Sequence, residues 1–127
     1  MWAMLHATVH IACLCAAWCR TCDAYAPVLQ QVAAQLVADG LRLQVSWIDI
    51  EDEAELMGDL DVETFPTLVV ADAKQVRFAG PVTPEPDTLL RLLRALVVQA
   101  APGEIWPAVP AAVEQFAGRL RQRVAPA

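Results

Sequence analysis

Cysteine is absent from this 127-residue chain except in one short stretch, where four cysteines lie between positions 13 and 22. Disulfides that staple small secreted domains are spread along a sequence, so this cluster does not form such a framework. Glycine-rich phosphate loops and internal repeats are also absent. The length suits one domain with a single core, and because Tyr and Phe are scarce we expect Leu, Val and Ile to build that core. The clustered cysteines therefore indicate a functional site.

Basic residues are few, and the formal net charge is −6. This balance argues against nucleic acid and anionic membrane surfaces as partners. Eight of the fifteen acidic residues lie between Asp49 and Glu63, with no Lys or Arg among them. A hydrated helix face is the favoured interpretation of this run, and an acidic docking surface is the alternative.

The first eighteen residues lack any charged side chain and are nearly long enough to form a signal segment or a membrane anchor. We favour a buried strand instead, because no Lys or Arg precedes Arg20 and because His6, Thr8 and His10 interrupt the run at alternate positions. We accordingly expect a cytoplasmic location without membrane contact, with export as the alternative. The two histidines lack partners at metal-binding spacing, and a structural or surface role is expected for them.

Hydrophobic periodicity predicts the order β-α-β-α-β-β-α followed by an extra C-terminal helix. The strands are predicted at 5–14, 41–50, 67–71 and 75–79, and the helices at 23–39, at 53–60, from 83 and after 110. The first two strands flank a helix, so they should be parallel neighbours in a mixed central sheet. Residues 1–99 are predicted to form the domain, and 100–127 a linker and a helix packed on that domain or on a partner. This last helix is assigned from its apolar stripe of Val113, Phe116, Leu120 and Val124. The first helix has a similar stripe, predicted to lie in the core, of Tyr25, Leu29, Val32 and Leu36.

Cys19 and Cys22 are separated by two residues at the predicted junction between the first strand and the first helix. Such a pair can interconvert between dithiol and disulfide. Unpaired backbone N–H groups and the helix dipole favour the thiolate of a cysteine at a helix N-terminus. The pair therefore predicts redox chemistry, with Cys19 as the more acidic thiol.

Three segments resemble the thioredoxin family, and the resemblance covers about residues 5–98. The first resembles the W-C-x-x-C helix start with its following A-P, the second the strand that ends in alternating acids, and the third the cis-proline loop. In this sequence they are Trp18-Cys19-Arg20-Thr21-Cys22-Asp23-Ala24-Tyr25-Ala26-Pro27, Trp47-Ile48-Asp49-Ile50-Glu51 and Thr64-Phe65-Pro66-Thr67. The resemblance implies a thioredoxin-like α/β fold and a thiol-disulfide oxidoreductase.

The resemblance also implies roles for individual residues. Cys19 would attack as a thiolate, helped by the guanidinium of Arg20, and Cys22 would resolve the mixed disulfide. Trp18 would shield the site, and Pro66, cis by resemblance, would leave a backbone edge open to a substrate strand. The supporting residues on this basis are Trp18, Arg20, Thr21, Phe65, Pro66 and Thr67. The implied partners are protein disulfide or dithiol substrates and a redox-recycling partner, with no bound cofactor and no metal.

The sequence departs from the family pattern at several positions. Cys13 stands where the family keeps a buried aspartate, Trp47 stands at the position of a buried lysine, and Arg-Thr replaces Gly-Pro between the cysteines. The family's first strand and helix are missing. A buried thiol is a poor base, so resolution by Cys22 should be the slow step. Cys13 and Cys15 are interpreted as small buried hydrophobic residues or as auxiliary thiols, and strand geometry disfavours a disulfide between them.

Two other function classes remain open from the sequence. Cys15, Cys19 and Cys22 have the spacing of an iron-sulfur ligand set, and Cys13 could complete a four-sulfur metal site. The second alternative is a binding module that docks a partner through this fold with little turnover. Iron absorbance would support the first alternative, and failure to exchange with any dithiol substrate would support the second.

Overall fold

The computed structural model describes residues 8–101 and 103–123, which are built around a four-stranded sheet. The strands are β1 (Val9–Cys15), β2 (Leu43–Asp49), β3 (Thr67–Ala71) and β4 (Val76–Pro81), in the order β2-β1-β3-β4. β1 is parallel to β2, whereas β1 and β3, and β3 and β4, pair in antiparallel fashion. The mixed central sheet predicted from the sequence is therefore confirmed, with β1 as an inner strand.

Helices flank the sheet in the predicted order. They are α1 (Arg20–Ala38), α2 (Ala54–Met57), α3 (Pro86–Leu93), which continues as a π-helical turn over Arg94–Val98, and α4 (Ala111–Arg123). The segment between this turn and α4 is irregular wherever it is described. Within the described ranges, no helix combines the length and the apolar character that crossing a bilayer requires.

Several element boundaries differ from the predicted ones for local reasons. β1 begins at Val9, where its pairing with Leu43 begins, and it ends at Cys15. Residues 5–7 of the predicted strand, which include His6, lie outside the described residues. α1 starts three residues early, at Arg20, because Cys19 already serves as its N-cap. β2 is shorter than predicted because the backbone N–H of Leu41 donates to the carbonyl of Leu36 and so belongs to the end of α1. β4 starts one residue later than predicted and extends to Pro81.

The second helix is a single turn rather than the predicted span of 53–60. Gly58 ends it with a φ of +55°, a conformation that favours glycine. A Cβ at this position would lie 2.5 Å from Nη2 of Arg119, so the space is also taken by α4. The positive φ therefore favours glycine at the end of α2, and the guanidinium of Arg119 lies beside it.

The sheet has two covered faces, and the alternation of β1 distributes its side chains between them. The face toward α1 and α3, called here the thiol face, contains buried residues of β1, α1, β3 and α3. From β1 these are Val9, Ile11, Cys13 and Cys15. The opposite face, called here the α4 face, receives Ala12 and Leu14 from β1 and is covered by Val113, Phe116, Ala117 and Leu120.

The predicted apolar stripes are buried to different extents. On the thiol face the whole α1 stripe is buried, namely Tyr25, Leu29, Val32 and Leu36. Three residues of the α4 stripe are buried on the α4 face, and the fourth, Val124, lies outside the described residues. On β2 the alternating apolar set is largely solvent-accessible, since Val45 is 39% and Trp47 41% exposed. β2 is an edge strand, and its one buried residue is Ile48 on the other face.

Candidate active site

The candidate site begins where β1 ends and α1 starts. Cys19 is the N-cap of α1, with extended backbone angles, and its side chain is partly exposed. Its N–H donates to the carbonyl of Ala16 at 3.0 Å, which closes the turn between strand and helix. The Cys19 sulfur is therefore held at the N-terminus of a 19-residue helix and in reach of solvent.

The environment of Cys19 favours its thiolate. Its pKa is lowered, first by the backbone N–H of Cys22 and further by the Cys22 side chain and the backbone N–H of Thr21. These donors belong to the first turn of the helix, where backbone N–H groups have no partner within the helix. The expected source of acidity is thus present at the helix terminus.

Cys22 has the opposite environment, although it lies less than one helical turn away. Its side chain is 1% exposed and packs within the thiol face. Burial raises its pKa, and interactions with the thiols of Cys15 and Cys19 raise it further, while the backbone N–H of Ala16 acts in the other direction. At neutral pH the pair therefore consists of one activated thiol and one buried, protonated thiol.

Cys13 and Cys15 lie beside this pair on the same face of β1. Both are buried, and their sulfur atoms are 3.6 Å apart as free thiols. The pKa of Cys15 is raised, first by its hydrogen bond with Cys13 and then by burial. The hydroxyl of Tyr25 makes no hydrogen bond to any described residue, and burial together with these two thiols raises its pKa. The four cysteines thus belong to one apolar cluster, called here the thiol cluster.

An aromatic pair borders the exposed side of the site. The ring of Trp18 is 68% exposed and meets the ring of Phe65 edge-on, with centroids 5.5 Å apart. The indole N–H of Trp18 donates to Oε1 of Glu51 at 3.0 Å. None of the eight acidic residues between Asp49 and Glu63 is buried, so the acidic run forms a hydrated surface that reaches the site through Glu51.

The proline loop lies at the same end of the sheet. Leu14 of β1 pairs with Thr67, so the residues immediately before Thr67 lie beside the end of β1. The Phe65–Pro66 peptide bond is cis, and the Thr67 hydroxyl donates to the carbonyl of Thr64 at 2.5 Å. The carbonyl of Pro66 accepts a hydrogen bond from the N–H of Val82.

The side chains of two proposed supporting residues make no comparable contacts. Arg20 and Thr21 are exposed, and no side-chain hydrogen bond is found for either among the described residues. Thr21 acts on Cys19 through its backbone N–H, and the largest contribution that lowers the Cys19 pKa is the backbone N–H of Cys22. In the described ranges, no three His, Cys, Asp or Glu side chains are arranged to hold a metal ion, and the thiol cluster is no exception.

Comparison with known proteins identifies the family. The sequence model of thioredoxin matches residues 4–94, which is more than half of the chain. The chain belongs to the thioredoxin family. A stretch of 53 residues is 40% identical to protein disulfide-isomerase of Gallus gallus and covers 42% of this chain and 10% of that protein. The chain therefore spans about a tenth of that curated relative.

Solved thioredoxin structures have the same fold. The germline-specific thioredoxin Deadhead of Drosophila melanogaster matches with a TM-score of 0.61 and 18% identity, over 74% of this chain and 86% of that one. A mutant thioredoxin of Halobacterium salinarum matches with a TM-score of 0.58 and 24% identity, over 78% of each chain. At these identities the likeness supports the fold alone.

Two site residues of this thioredoxin-family protein were missed from the sequence. Glu51 was one of eight acids, and no local pattern distinguishes it from its neighbours. Tyr25 was assigned only to the core, but its position three residues after Cys22 already places both on one face of α1. That spacing could have predicted its contact with the thiol cluster.

Proposed function

We propose that this thioredoxin-family protein is a thiol-disulfide oxidoreductase that exchanges its Cys19/Cys22 dithiol with disulfides of protein substrates. The observation that carries the proposal is the contrast between the two thiols. Cys19 is partly exposed with a lowered pKa, and Cys22 is buried with a raised pKa. In such a pair the exposed thiolate attacks the substrate disulfide, and the buried thiol later resolves the mixed disulfide.

The reaction takes place in two exchange steps. The Cys19 thiolate attacks one sulfur of the substrate disulfide, forms a mixed disulfide and releases the other substrate sulfur as a thiolate. Cys22 then loses its proton and attacks the Cys19 sulfur, which expels the second substrate sulfur. The products are a substrate dithiol and a Cys19–Cys22 disulfide, and the reverse sequence oxidises a dithiol substrate.

Resolution by Cys22 is expected to be the slower step. Its thiol must be deprotonated while it is buried, and the described residues include no buried charged side chain that could accept the proton. Cys13, at the position that resembles the family's aspartate, is buried and directs its thiol toward Cys15. The backbone N–H of Ala16 is the nearby group that favours the Cys22 thiolate.

The proposed substrate surface consists of Trp18, Phe65 and the backbone around Pro66. Trp18 directly precedes Cys19 in the chain, its indole is exposed, and Phe65 supports it from the proline loop. An extended substrate segment could pair with the backbone of this loop, with its disulfide directed toward Cys19. We therefore expect protein substrates and a recycling dithiol or disulfide partner to bind at this surface.

Trapping of the mixed disulfide tests the proposal. Cys22→Ser should accumulate a mixed disulfide with a disulfide-containing protein such as insulin, because the bond that Cys19 forms is no longer resolved. Cys19→Ser should trap almost none, because Cys22 is 1% exposed. Non-reducing electrophoresis and mass spectrometry measure the two adducts.

The wild-type chain and Cys19→Ser/Cys22→Ser are the matched controls, and reduction of insulin by the wild type gives the turnover. Equal trapping by both single variants would contradict the assigned roles. Absence of adducts together with absence of turnover would instead favour the binding module, in which the fold docks a partner without exchange.

A further inference from the structure

The proposed reaction uses two of the four clustered thiols and leaves Cys13 and Cys15 without a role. Neither is a remote core residue, because both pack in the same apolar cluster as Cys22 and Tyr25. Their sulfur atoms are 3.6 Å apart, and both carry free thiols. Two further buried thiols therefore lie in the same apolar cluster as Cys22.

Cys15 is the one of these two that reaches Cys22. It is the last residue of β1, and the backbone N–H of the next residue, Ala16, lowers the pKa of Cys22. The thiols of Cys15 and Cys22 pack in one apolar cluster and influence each other, since Cys15 raises the pKa of Cys22 and Cys22 lowers that of Cys15. Cys22 therefore has a sulfur neighbour on each side, Cys19 toward solvent and Cys15 toward the strand.

We propose that Cys15 is a third redox-active thiol, which exchanges with the Cys19–Cys22 disulfide to form an inner Cys15–Cys22 disulfide and release Cys19. This inference rests on the proposed function, because the outer disulfide must form first. Cys15 loses its proton and attacks the Cys22 sulfur, the Cys15–Cys22 bond forms, and the Cys19–Cys22 bond breaks. Cys19 leaves as a thiolate, and the number of disulfides per chain stays at one.

The direction of the exchange follows from the environments of the sulfurs. A thiol of low pKa is both the better leaving group and the group whose reduced form is most stabilised at neutral pH. Among the three sulfurs this is Cys19, at the helix N-terminus, whereas Cys15 and Cys22 are buried and protonated when reduced. Placing the disulfide between the two buried sulfurs leaves the stabilised thiolate free.

The exchange should be slow compared with turnover. Attack requires the Cys15 thiolate, which burial and the hydrogen bond with Cys13 disfavour. The inner disulfide should therefore accumulate only when the oxidised protein is incubated for a long time without a reductant. In that state Cys22 is blocked and Cys19 is a free nucleophile, so the protein captures a substrate disulfide without resolving it.

A labelling time course on the full chain tests the inference. The reduced protein is oxidised with diamide, freed of excess oxidant and incubated, and its free thiols are alkylated with N-ethylmaleimide in denaturant. Chymotrypsin and trypsin together separate the cysteines, because Leu14, Trp18 and Arg20 lie between them. We expect the Cys19–Cys22 peptide pair first and the Cys15–Cys22 pair later, while alkylation of Cys19 returns.

A variant without Cys19 tests whether the Cys15–Cys22 disulfide can form when no Cys19–Cys22 disulfide precedes it. Cys19→Ser treated with diamide should form the Cys15–Cys22 disulfide and lose labelling of Cys22, whereas Cys19→Ser/Cys15→Ala should keep Cys22 labelled. Circular dichroism of both variants checks that they are folded. The wild-type time course provides the same information without a substitution.

The outcomes separate this inference from the proposed function. If the wild type forms a stable Cys19–Cys22 disulfide, reduces insulin and never yields the Cys15–Cys22 pair, the third thiol is excluded and the oxidoreductase stands. A Cys13–Cys15 disulfide in place of the Cys15–Cys22 disulfide would likewise overturn the inference. If no disulfide involving Cys19 forms and no insulin is reduced, the proposed function itself fails.

Discussion

On the thiol face, β1 places Cys13 and Cys15 against α1, whereas on the α4 face the same strand places Ala12 and Leu14 against α4. All four cysteines pack on or in the first cluster, and none belongs to the second. The alternation of a single inner strand thus separates reactive side chains from inert ones. Both faces belong to the hydrophobic core, and all four thiols lie on one of them.

The two faces also differ in how their helices are held. α1 begins at the end of β1, so the chain itself positions it. α4 follows a long irregular segment and is held by side chains in addition to its apolar stripe. Arg119 donates to the carbonyls of Leu56 and Met57, and Arg121 donates to that of Asp72. Arginine bonds to backbone carbonyls therefore complete the attachment of this helix.

Removal of the largest side chain of the α4 face should have the largest effect on stability. Phe116 is fully buried there, and Phe116→Ala should lower the free energy of unfolding by about 3–5 kcal/mol. Urea denaturation of the reduced protein measures the change. Ile105→Ala is the matched control, because Ile105 is 89% exposed and its truncation should change little. A loss below about 1 kcal/mol in Phe116→Ala, the range of ordinary surface substitutions, would contradict the packing of α4 on the sheet.

Loss of the arginine contact should have an intermediate effect. Arg119 donates through Nε to Leu56 at 2.7 Å and through Nη2 to Met57 at 2.9 Å. Arg119→Ala should cost about 1–3 kcal/mol, because bonds from charged donors are lost while water can reach the exposed end of α2. Arg119→Lys should restore little of this, since one ammonium group does not reproduce the two-nitrogen geometry. Arg91→Ala, at an exposed position of α3, is the control in the same urea experiment.

The smallest effect is expected when a residue of the α4 face is changed and the pH profile of Cys19 alkylation on the thiol face is measured. Its lowered pKa means that the thiolate forms at lower pH than in an ordinary cysteine, so iodoacetamide alkylation should rise with pH and reach half its maximal rate below pH 9.0. Buried Cys22 should need higher pH, because its pKa is raised. The Cys19 profile of Arg119→Ala should superimpose on that of the wild type, and a shifted midpoint would show that the faces are coupled.

Much of the fold could be predicted from local sequence patterns. The alternation from Val9 to Cys15, the α1 stripe and the polar turn after Ala71 each depend on neighbouring residues, and the observed elements match them within a few positions. The turn is typical, since Oδ1 of Asp72 accepts from the backbone N–H groups of Lys74 and Gln75, a local arrangement that Asp favours. The position of Cys19 at the start of a helix could likewise be predicted from the residues next to it in the sequence.

The sequence by itself thus determined the family, the order of elements and the placement of Cys19 and Cys22 at a strand-helix junction, because these depend on periodicity and on contiguous motifs. Only the tertiary structure decided that α4 covers the face opposite the cysteines and that Glu51, among eight similar acids, bonds to Trp18. It also decided that Trp47 is half exposed on an edge strand and that Arg119 donates to the last carbonyls of α2. These features depend on strand order and on contacts between residues far apart in the chain, which no local pattern of side chains encodes.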